Sequence, residues 1–121
     1  NIRMMKINLN AKIYNIVKDG GKVVGVGAAT KGNTLLNYFK LDKDSISYLT
    51  DASLLKIGKI APGSMIPILD DKDIDENVTH LLILPWNLAE FLKSKLGYLK
   101  KEFLIPEITK KYTIKGDDYE E

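Results

Sequence analysis

The residues best suited to chemistry lie in a glycine-rich segment, Gly25-Val26-Gly27-Ala28-Ala29-Thr30-Lys31-Gly32-Asn33-Thr34. Glycines at a turn let the backbone approach a ligand closely, and the free N–H groups at the start of a following helix attract an anion. Lys31 adds a full positive charge. The segment therefore predicts a binding site for a phosphate-type anion. Its candidate residues are Gly25, Gly27, Lys31, Gly32, Asn33 and Thr34.

Two known phosphate-binding motifs come close to this segment without matching it. The dinucleotide fingerprint G-x-G-x-x-G requires glycine where Thr30 stands. The phosphate loop G-x-x-x-x-G-K-[ST] matches Gly27, Gly32 and Thr34, but Asn33 takes the place of its lysine. An alternative therefore stays open, in which the glycines only permit a tight turn and Asn33 caps a helix.

Asp51 ends the second predicted strand, 19 positions after Gly32. An acid at this place in a nucleotide-binding sheet can accept hydrogen bonds from ribose hydroxyls. The alternative is an aspartate that only begins a loop.

Pro85, Trp86 and Asn87 follow a strongly apolar strand pattern. Ligands of open α/β sheets lie outside the carboxyl ends of the strands. A tryptophan there can stack on a base or a sugar, and an asparagine can hydrogen-bond a ligand. In the alternative, Trp86 fills the core and Asn87 caps the next helix.

Two further signals are weaker. Lys56 and Lys59 lie in segment 56–63, which contains two glycines. They contact a phosphate or a partner domain in one interpretation, and are solvated loop residues in the other. His80 opens an apolar strand and is either a structural histidine or a base. Because no Ser-His-Asp order, carboxylate pair or metal-ligand cluster appears, we assign no catalytic residue and no metal site.

The composition narrows the class of protein. The chain has 121 residues, enough for one domain, with no cysteine and one histidine. Its net charge is +2, but residues 1–115 hold 18 bases and 12 acids, because four acids lie in the last six residues. These bases are dispersed, so we expect no nucleic-acid partner. No signal peptide or membrane-length apolar run appears, which favours a cytoplasmic protein without a membrane partner.

Strands and helices alternate along the chain. Short, continuous apolar runs are typical of strands buried on both faces. The pattern predicts an α/β fold with a mainly parallel sheet of about five strands and helices on both faces. The strands are expected at 22–27, 46–50, 65–69, 81–84 and 102–105. Helices are expected at 2–18, 34–40 and 87–98, and an acidic helix or turn at 70–77. The last helix has an apolar face formed by Leu88, Phe91, Leu92 and Leu96.

These blocks together resemble a known family. Residues 25–38 resemble the G-x-G-A-x-x-K-G-N-T-L-L-N stretch of S-adenosylmethionine-dependent sugar C-methyltransferases. The pieces Thr50-Asp51, Lys56-x-Gly58-Lys59 and Pro62-Gly63 resemble a second block of that family, and residues 81–87 resemble its L-L-L-P-W-N block. Order and spacing agree from about residue 23 to residue 106.

The resemblance is to the C-terminal domain of these enzymes, which is Rossmann-like with three α/β/α layers and helps to hold the nucleotide sugar. It implies a substrate-holding domain of an enzyme that methylates a carbon of a nucleotide-linked keto sugar. A central methyltransferase domain, absent here, would bind S-adenosylmethionine and supply the catalytic base. The implied substrate-binding residues are the candidates named above in the glycine-rich segment, Asp51, and Pro85, Trp86 and Asn87.

We therefore expect a Rossmann-like domain at 1–109, with a leading helix at 1–19, and a loose acidic tail at 110–121. The chain is interpreted as part of a longer protein, not catalytic alone. One departure weakens the assignment of Asp51: Ala52-Ser53-Leu54 stands where family members often have Arg-Asn-Pro. The alternative function is a stand-alone nucleotide- or anion-binding module. A nicotinamide-dependent oxidoreductase fits less well because the dinucleotide fingerprint is incomplete.

Overall fold

A parallel β-sheet organises the chain. The computed structural model describes residues 2–27, 36–51, 56–85 and 88–106. Within them the strands are β1 (Val23–Val26), β2 (Leu49–Asp51), β3 (Ile68–Asp70), β4 (His80–Ile83) and β5 (Glu102–Leu104). The helices are α1 (Ile2–Lys18), α2 (36–39) and α3 (Ala89–Leu96), with 3-10 turns at Asp71–Asp73 and Gly97–Leu99.

The five strands are all parallel and lie in the order β3-β2-β1-β4-β5. Alternate residues of each strand face opposite sides, so the sheet contributes to two apolar clusters. Val23 of β1 belongs to the cluster under α1 and α2, whereas Val24 belongs to the cluster under α3. The Rossmann-like, three-layer α/β architecture predicted from the sequence is confirmed.

Helix α1 packs through one face. Leu9 and Ile13 are buried in the first cluster, and Asn10 Nδ2 donates a hydrogen bond to the Phe39 carbonyl oxygen at 3.0 Å. The helix ends at two glycines: Gly20 has φ +94°, and the Gly21 N–H donates to the Ile16 carbonyl oxygen at 2.8 Å. This turn leads the chain directly into β1.

Two strands begin later than the apolar pattern predicts. Ile46 is fully buried, but its N–H donates to the Asp42 carbonyl oxygen at 2.8 Å, so it closes a turn rather than joining the ladder. Met65 has φ +62° and is exposed, and it too belongs to a turn. Ile46 thus anchors its connection to the core before β2 starts, whereas before β3 the buried residue is Ile66, which follows Met65.

The predicted apolar face of α3 is partly wrong. Leu92 and Leu96 are buried as expected, together with Ala89, but Leu88 and Phe91 are exposed. The three buried residues lie three, four and seven positions apart, which defines one helix face. Phe91 immediately precedes Leu92, so it points about 100° away from that face. In the part of the chain that the structure describes, no helix has the length and apolar character needed to span a membrane.

Candidate functional site

The strand order creates a crevice at the carboxyl edge of the sheet. From β1 the chain moves to β2 and β3 on one side, and later returns to place β4 and β5 on the other. The connections after β1 and β4 therefore diverge at their carboxyl ends. Such a switch point is where open α/β sheets bind ligands. The described residues at its rim include Gly27, Asp51 and Pro85.

Gly27 and Pro85 bring two of the sequence blocks into contact. Gly27 has φ +86°, a conformation that favours glycine, and its N–H donates to the Thr50 carbonyl oxygen at 2.9 Å. A Cβ added to Gly27 would lie 2.5 Å from Pro85 Cδ. The turn that leaves β1 therefore contacts Pro85, two residues after the end of β4, and only glycine fits there without a shift.

Gly25 has a different local explanation. It lies inside β1, where an added Cβ would be 2.6 Å from Leu49 Cδ2 and 3.3 Å from Leu84 Cδ1. The missing side chain makes room for two core leucines. Packing alone thus accounts for glycine at this position, and a role for Gly25 toward a ligand stays a prediction.

Asp51 ends β2 next to the turn at Gly27. The register pairs Val26 with Thr50, so Asp51 is level with Gly27 at the carboxyl edge. On its other side Asp51 pairs with Asp70 of β3. The Thr50 side chain is fully buried, and its Oγ1 has no hydrogen-bond partner among the residues that the structure describes. The acid thus lies at the predicted edge of the sheet, one strand away from the switch point.

Pro85 closes the end of β4. The Leu84 N–H donates to the Val26 carbonyl oxygen at 3.1 Å, and the Leu88 N–H donates to the Pro85 carbonyl oxygen at 2.8 Å. These bonds hold the start of the β4–α3 connection against β1. Leu88 and Phe91, three residues apart, then present apolar side chains to solvent near the same edge.

Several predicted site residues lie outside the described part of the chain. They are Lys31, Gly32, Asn33, Thr34, Trp86 and Asn87. The acidic tail predicted at 110–121 lies outside it as well. For these positions the sequence predictions stand untested by geometry.

The second block of the resemblance is tied to the first by a contact that the sequence reasoning did not identify. Asn37 Nδ2 donates to the Pro62 carbonyl oxygen at 3.2 Å. Gly63 has φ +85°, and a Cβ there would collide with the Asn37 side chain. Asn37 belongs to the L-L-N end of the first block, and the Pro-Gly pair to the second. Their joint presence could have suggested that the two blocks touch.

The opposite, amino edge of the sheet holds a polar cluster. Lys22 Nζ lies 2.9 Å from Asp75 Oδ2 and 5.5 Å from the centre of the Tyr48 ring. The Tyr48 hydroxyl donates to the Asp73 carbonyl oxygen at 3.1 Å and accepts from the Asp75 N–H at 3.1 Å. These bonds fasten the connection that precedes β4 to the starts of β1 and β2.

The pKa shifts in this cluster follow from the same contacts. The hydrogen bond from Lys22 lowers the pKa of the Asp75 carboxyl below its ordinary value. Burial raises the pKa of the Tyr48 hydroxyl, and the negative charge of Asp75 adds to that shift. The cluster is therefore most stable with a charged Asp75 and a neutral Tyr48.

His80 also lies at the amino edge. Its Nε2 is 3.3 Å from Glu102 Oε2, and its Nδ1 is 2.8 Å from Thr79 Oγ1. Both ring nitrogens thus contact neighbouring side chains, at the edge opposite the crevice. These contacts are consistent with a structural role for His80.

A cavity of about 190 Å³ lies apart from the crevice, between α1 and the end of β5. Its lining includes Leu9, Lys12, Phe39, Leu104 and Pro106. Pockets for small-molecule ligands usually measure about 300–1,000 Å³. This cavity is too small for a nucleotide sugar, so it is not the candidate site.

Comparison with known proteins identifies the family. The profile of the family described as the C-methyltransferase C-terminal domain matches residues 1–105. C-methyltransferase NovU of Streptomyces niveus is 34% identical over 106 residues, which cover 84% of this chain and 25% of that protein. The chain thus spans about a quarter of the length of this curated relative. It belongs to the family of C-methyltransferase C-terminal domains.

Proposed function

We propose that this chain is the substrate-holding domain of a C-methyltransferase that acts on a nucleotide-linked keto sugar. The observation that carries the proposal is the contact between Gly27 and Pro85 at the switch point. That contact joins the glycine-rich segment and the Pro-Trp-Asn block at one crevice. The family supports the C-methyltransferase part, and the crevice chemistry supports the choice of ligand.

The residues proposed to line the crevice would supply the complementary groups that a nucleoside diphosphate needs. Lys31 and the N–H groups after Gly27 would hold the diphosphate, because an anion is stabilised by a cation and by free backbone donors. Asp51, at the same edge, would accept hydrogen bonds from a ribose. Trp86 would stack on the base or the sugar, and Asn87 would hydrogen-bond it. Gly32, Asn33 and Thr34 would complete the anion-binding turn.

The domain organisation follows from this proposal. Residues 1–109 form the Rossmann-like domain, led by the helix at 1–19, and residues 110–121 are an acidic tail. The methyl donor, S-adenosylmethionine, and the catalytic base belong to the central domain of a longer protein, called the parent protein below. The residues of this chain bind and orient the sugar nucleotide and carry out no chemical step.

Calorimetry with thymidine diphosphate and uridine diphosphate tests the anion site in the parent protein. Lys31→Ala should weaken binding about tenfold or more, because a charge-assisted phosphate contact contributes about 1.5–3 kcal/mol. Lys43→Ala is the matched control, since Lys43 is an exposed lysine in the turn that precedes β2. Equal affinity of both variants would remove Lys31 from the site. Absence of nucleotide binding by the parent protein would overturn the proposal.

Activity assays separate the proposal from a stand-alone binding module. The parent protein should transfer a methyl group from S-adenosylmethionine to a nucleotide-linked keto sugar, whereas the 121-residue chain should give no turnover. Nucleotide binding by the 121-residue chain, together with a reading frame that starts near Asn1, would favour the stand-alone module instead. Turnover by the 121-residue chain alone would contradict the proposed division of labour.

A further inference from the structure

We propose that the outer face of α1, formed by Ile7, Ala11 and Tyr14, is the surface on which the preceding catalytic domain of the parent protein packs. This inference rests on the proposed function, because it requires a preceding domain. It adds a docking surface, which neither the family assignment nor the candidate site provides.

Helix α1 is apolar on two sides. Leu9 and Ile13 are buried against the sheet, but Ile7 is 53% exposed and Tyr14 is 67% exposed on the other side. Ile7, Ala11 and Tyr14 follow one another at intervals of four and three residues, the spacing of a seam that packs against another element. Isolated apolar residues on a surface are ordinary. A row at this spacing, opposite the buried face of the same helix, indicates a second partner.

The direction of α1 carries the preceding chain past the candidate site. The helix ends at the amino end of β1, through the turn at Gly20 and Gly21. Its middle, at Leu9 and Lys12, borders the same cavity as Leu104 and Pro106, at the carboxyl end of β5. The start of α1 therefore lies toward the carboxyl edge of the sheet. A domain joined to it would stand beside the crevice.

The length of the relative NovU indicates which domain covers the outer face of α1. This chain corresponds to 25% of that protein, and its family is described as a C-terminal domain. The remaining part of such a protein precedes its C-terminal domain. We therefore assign the preceding domain of the parent protein as the occupant of the outer face of α1.

The charge of α1 argues against a second copy of the chain as the occupant. The helix carries four bases, Arg3, Lys6, Lys12 and Lys18, and no acid. Two such helices placed face to face would bring like charges together. Arg3 also lies in the first turn, where a cation is unfavourable beside the positive end of the helix dipole. The charges fit a partner with acidic groups around an apolar patch.

Hydroxyl-radical footprinting of the parent protein tests the interface with an internal control. Tyr14 and Tyr98 are similarly exposed in this domain, at 67% and 73%. Oxidation of Tyr14 should be several-fold slower in the parent protein than in the 121-residue chain, whereas Tyr98 should react equally in both. Equal rates for Tyr14, or protection confined to Tyr98, would overturn the inference.

A pair of matched substitutions gives a second measurement. In the 121-residue chain, Tyr14→Glu and Tyr98→Glu should both leave Tm nearly unchanged, because both side chains are exposed. In the parent protein, only Tyr14→Glu should lower Tm. Concentration-dependent protection of Tyr14 in the 121-residue chain would instead assign this face to a second copy. A complete reading frame without a preceding domain would also overturn the inference.

Nucleotide binding distinguishes the two proposals. Protection of Tyr14 in a parent protein that binds no nucleoside diphosphate would keep the interface and remove the proposed substrate. Tight nucleotide binding with Tyr14 still reactive would keep the substrate and remove the interface.

Discussion

The two edges of the sheet differ in the residues that form them. At the amino edge, Lys22, Tyr48 and Asp75 satisfy one another through an ion pair and hydrogen bonds. At the carboxyl edge, Gly27 has no side chain, so its backbone lies close to Pro85. Charged groups that neutralise each other stabilise a fold, but few of their charges and hydrogen-bonding atoms remain available to bind a ligand. This difference favours a candidate site at the edge where Gly27 lies, and not at the edge where Lys22 and Asp75 neutralise each other.

The largest expected effect is at the carboxyl edge. Gly27→Ala should lower the free energy of unfolding by about 2–5 kcal/mol, because it combines a left-handed backbone with a collision against the rigid Pro85 ring. Gly58→Ala is the control, since Gly58 has φ +87° but no atom of the described residues lies within 4 Å of an added Cβ. It should cost only the backbone part, about 1–2 kcal/mol. Urea denaturation measures both, and equal losses would show that the contact with Pro85 is unimportant.

A smaller effect is expected at the amino edge. Tyr48→Phe removes a hydroxyl that bonds the Asp73 carbonyl oxygen and the Asp75 N–H, and should cost about 1–2 kcal/mol of stability. Nucleotide affinity should stay unchanged, because this cluster lies at the edge opposite the crevice. A loss of affinity in a folded Tyr48→Phe protein would contradict the assignment of separate roles to the two edges.

The smallest effect is the pH dependence of the same cluster. The pKa of Asp75 in the folded protein lies below its ordinary value of 3.8. As the pH falls, the Asp75 carboxyl is therefore protonated in the unfolded chain before it is protonated in the folded protein. The stability that the charged carboxylate contributes is lost as the pH falls from the ordinary pKa through the lower pKa of the folded protein. The difference in Tm between the wild-type protein and Asp75→Asn should be present at neutral pH and shrink below 3.8. A difference that is independent of pH would show that Asp75 acts without its charge.

Much of the fold could be predicted because continuous apolar runs and helical spacing report burial directly. The β4 pattern and the glycines after α1 indicated a strand and a helix end that the structure confirms. The errors share a physical origin: an apolar residue can belong to a turn, whether it is buried like Ile46 or exposed like Met65. Ile46 and Met65 were placed in strands on their apolar character, although hydrogen bonds put both in turns.

The candidate site was less predictable than the fold. Sequence spacing could place Gly27, Asp51 and Pro85 at strand ends, but the contact between Gly27 and Pro85 depends on the strand order. No local pattern shows that β4 returns to lie beside β1. Asn37 was missed because its bond to the Pro62 carbonyl oxygen joins residues 25 positions apart. The exposure of Phe91 depended on which side of α3 the sheet occupies.

Hydrogen exchange of the parent protein, with and without a nucleoside diphosphate, tests the central claim most directly. Binding at the switch point should slow exchange in the segments 26–36 and 84–88, after β1 and β4. Exchange in the segment 75–79, at the amino edge, should stay the same. Slower exchange confined to the amino-edge segment, or no change in any of the three, would contradict the assignment of the carboxyl edge as the ligand-binding face.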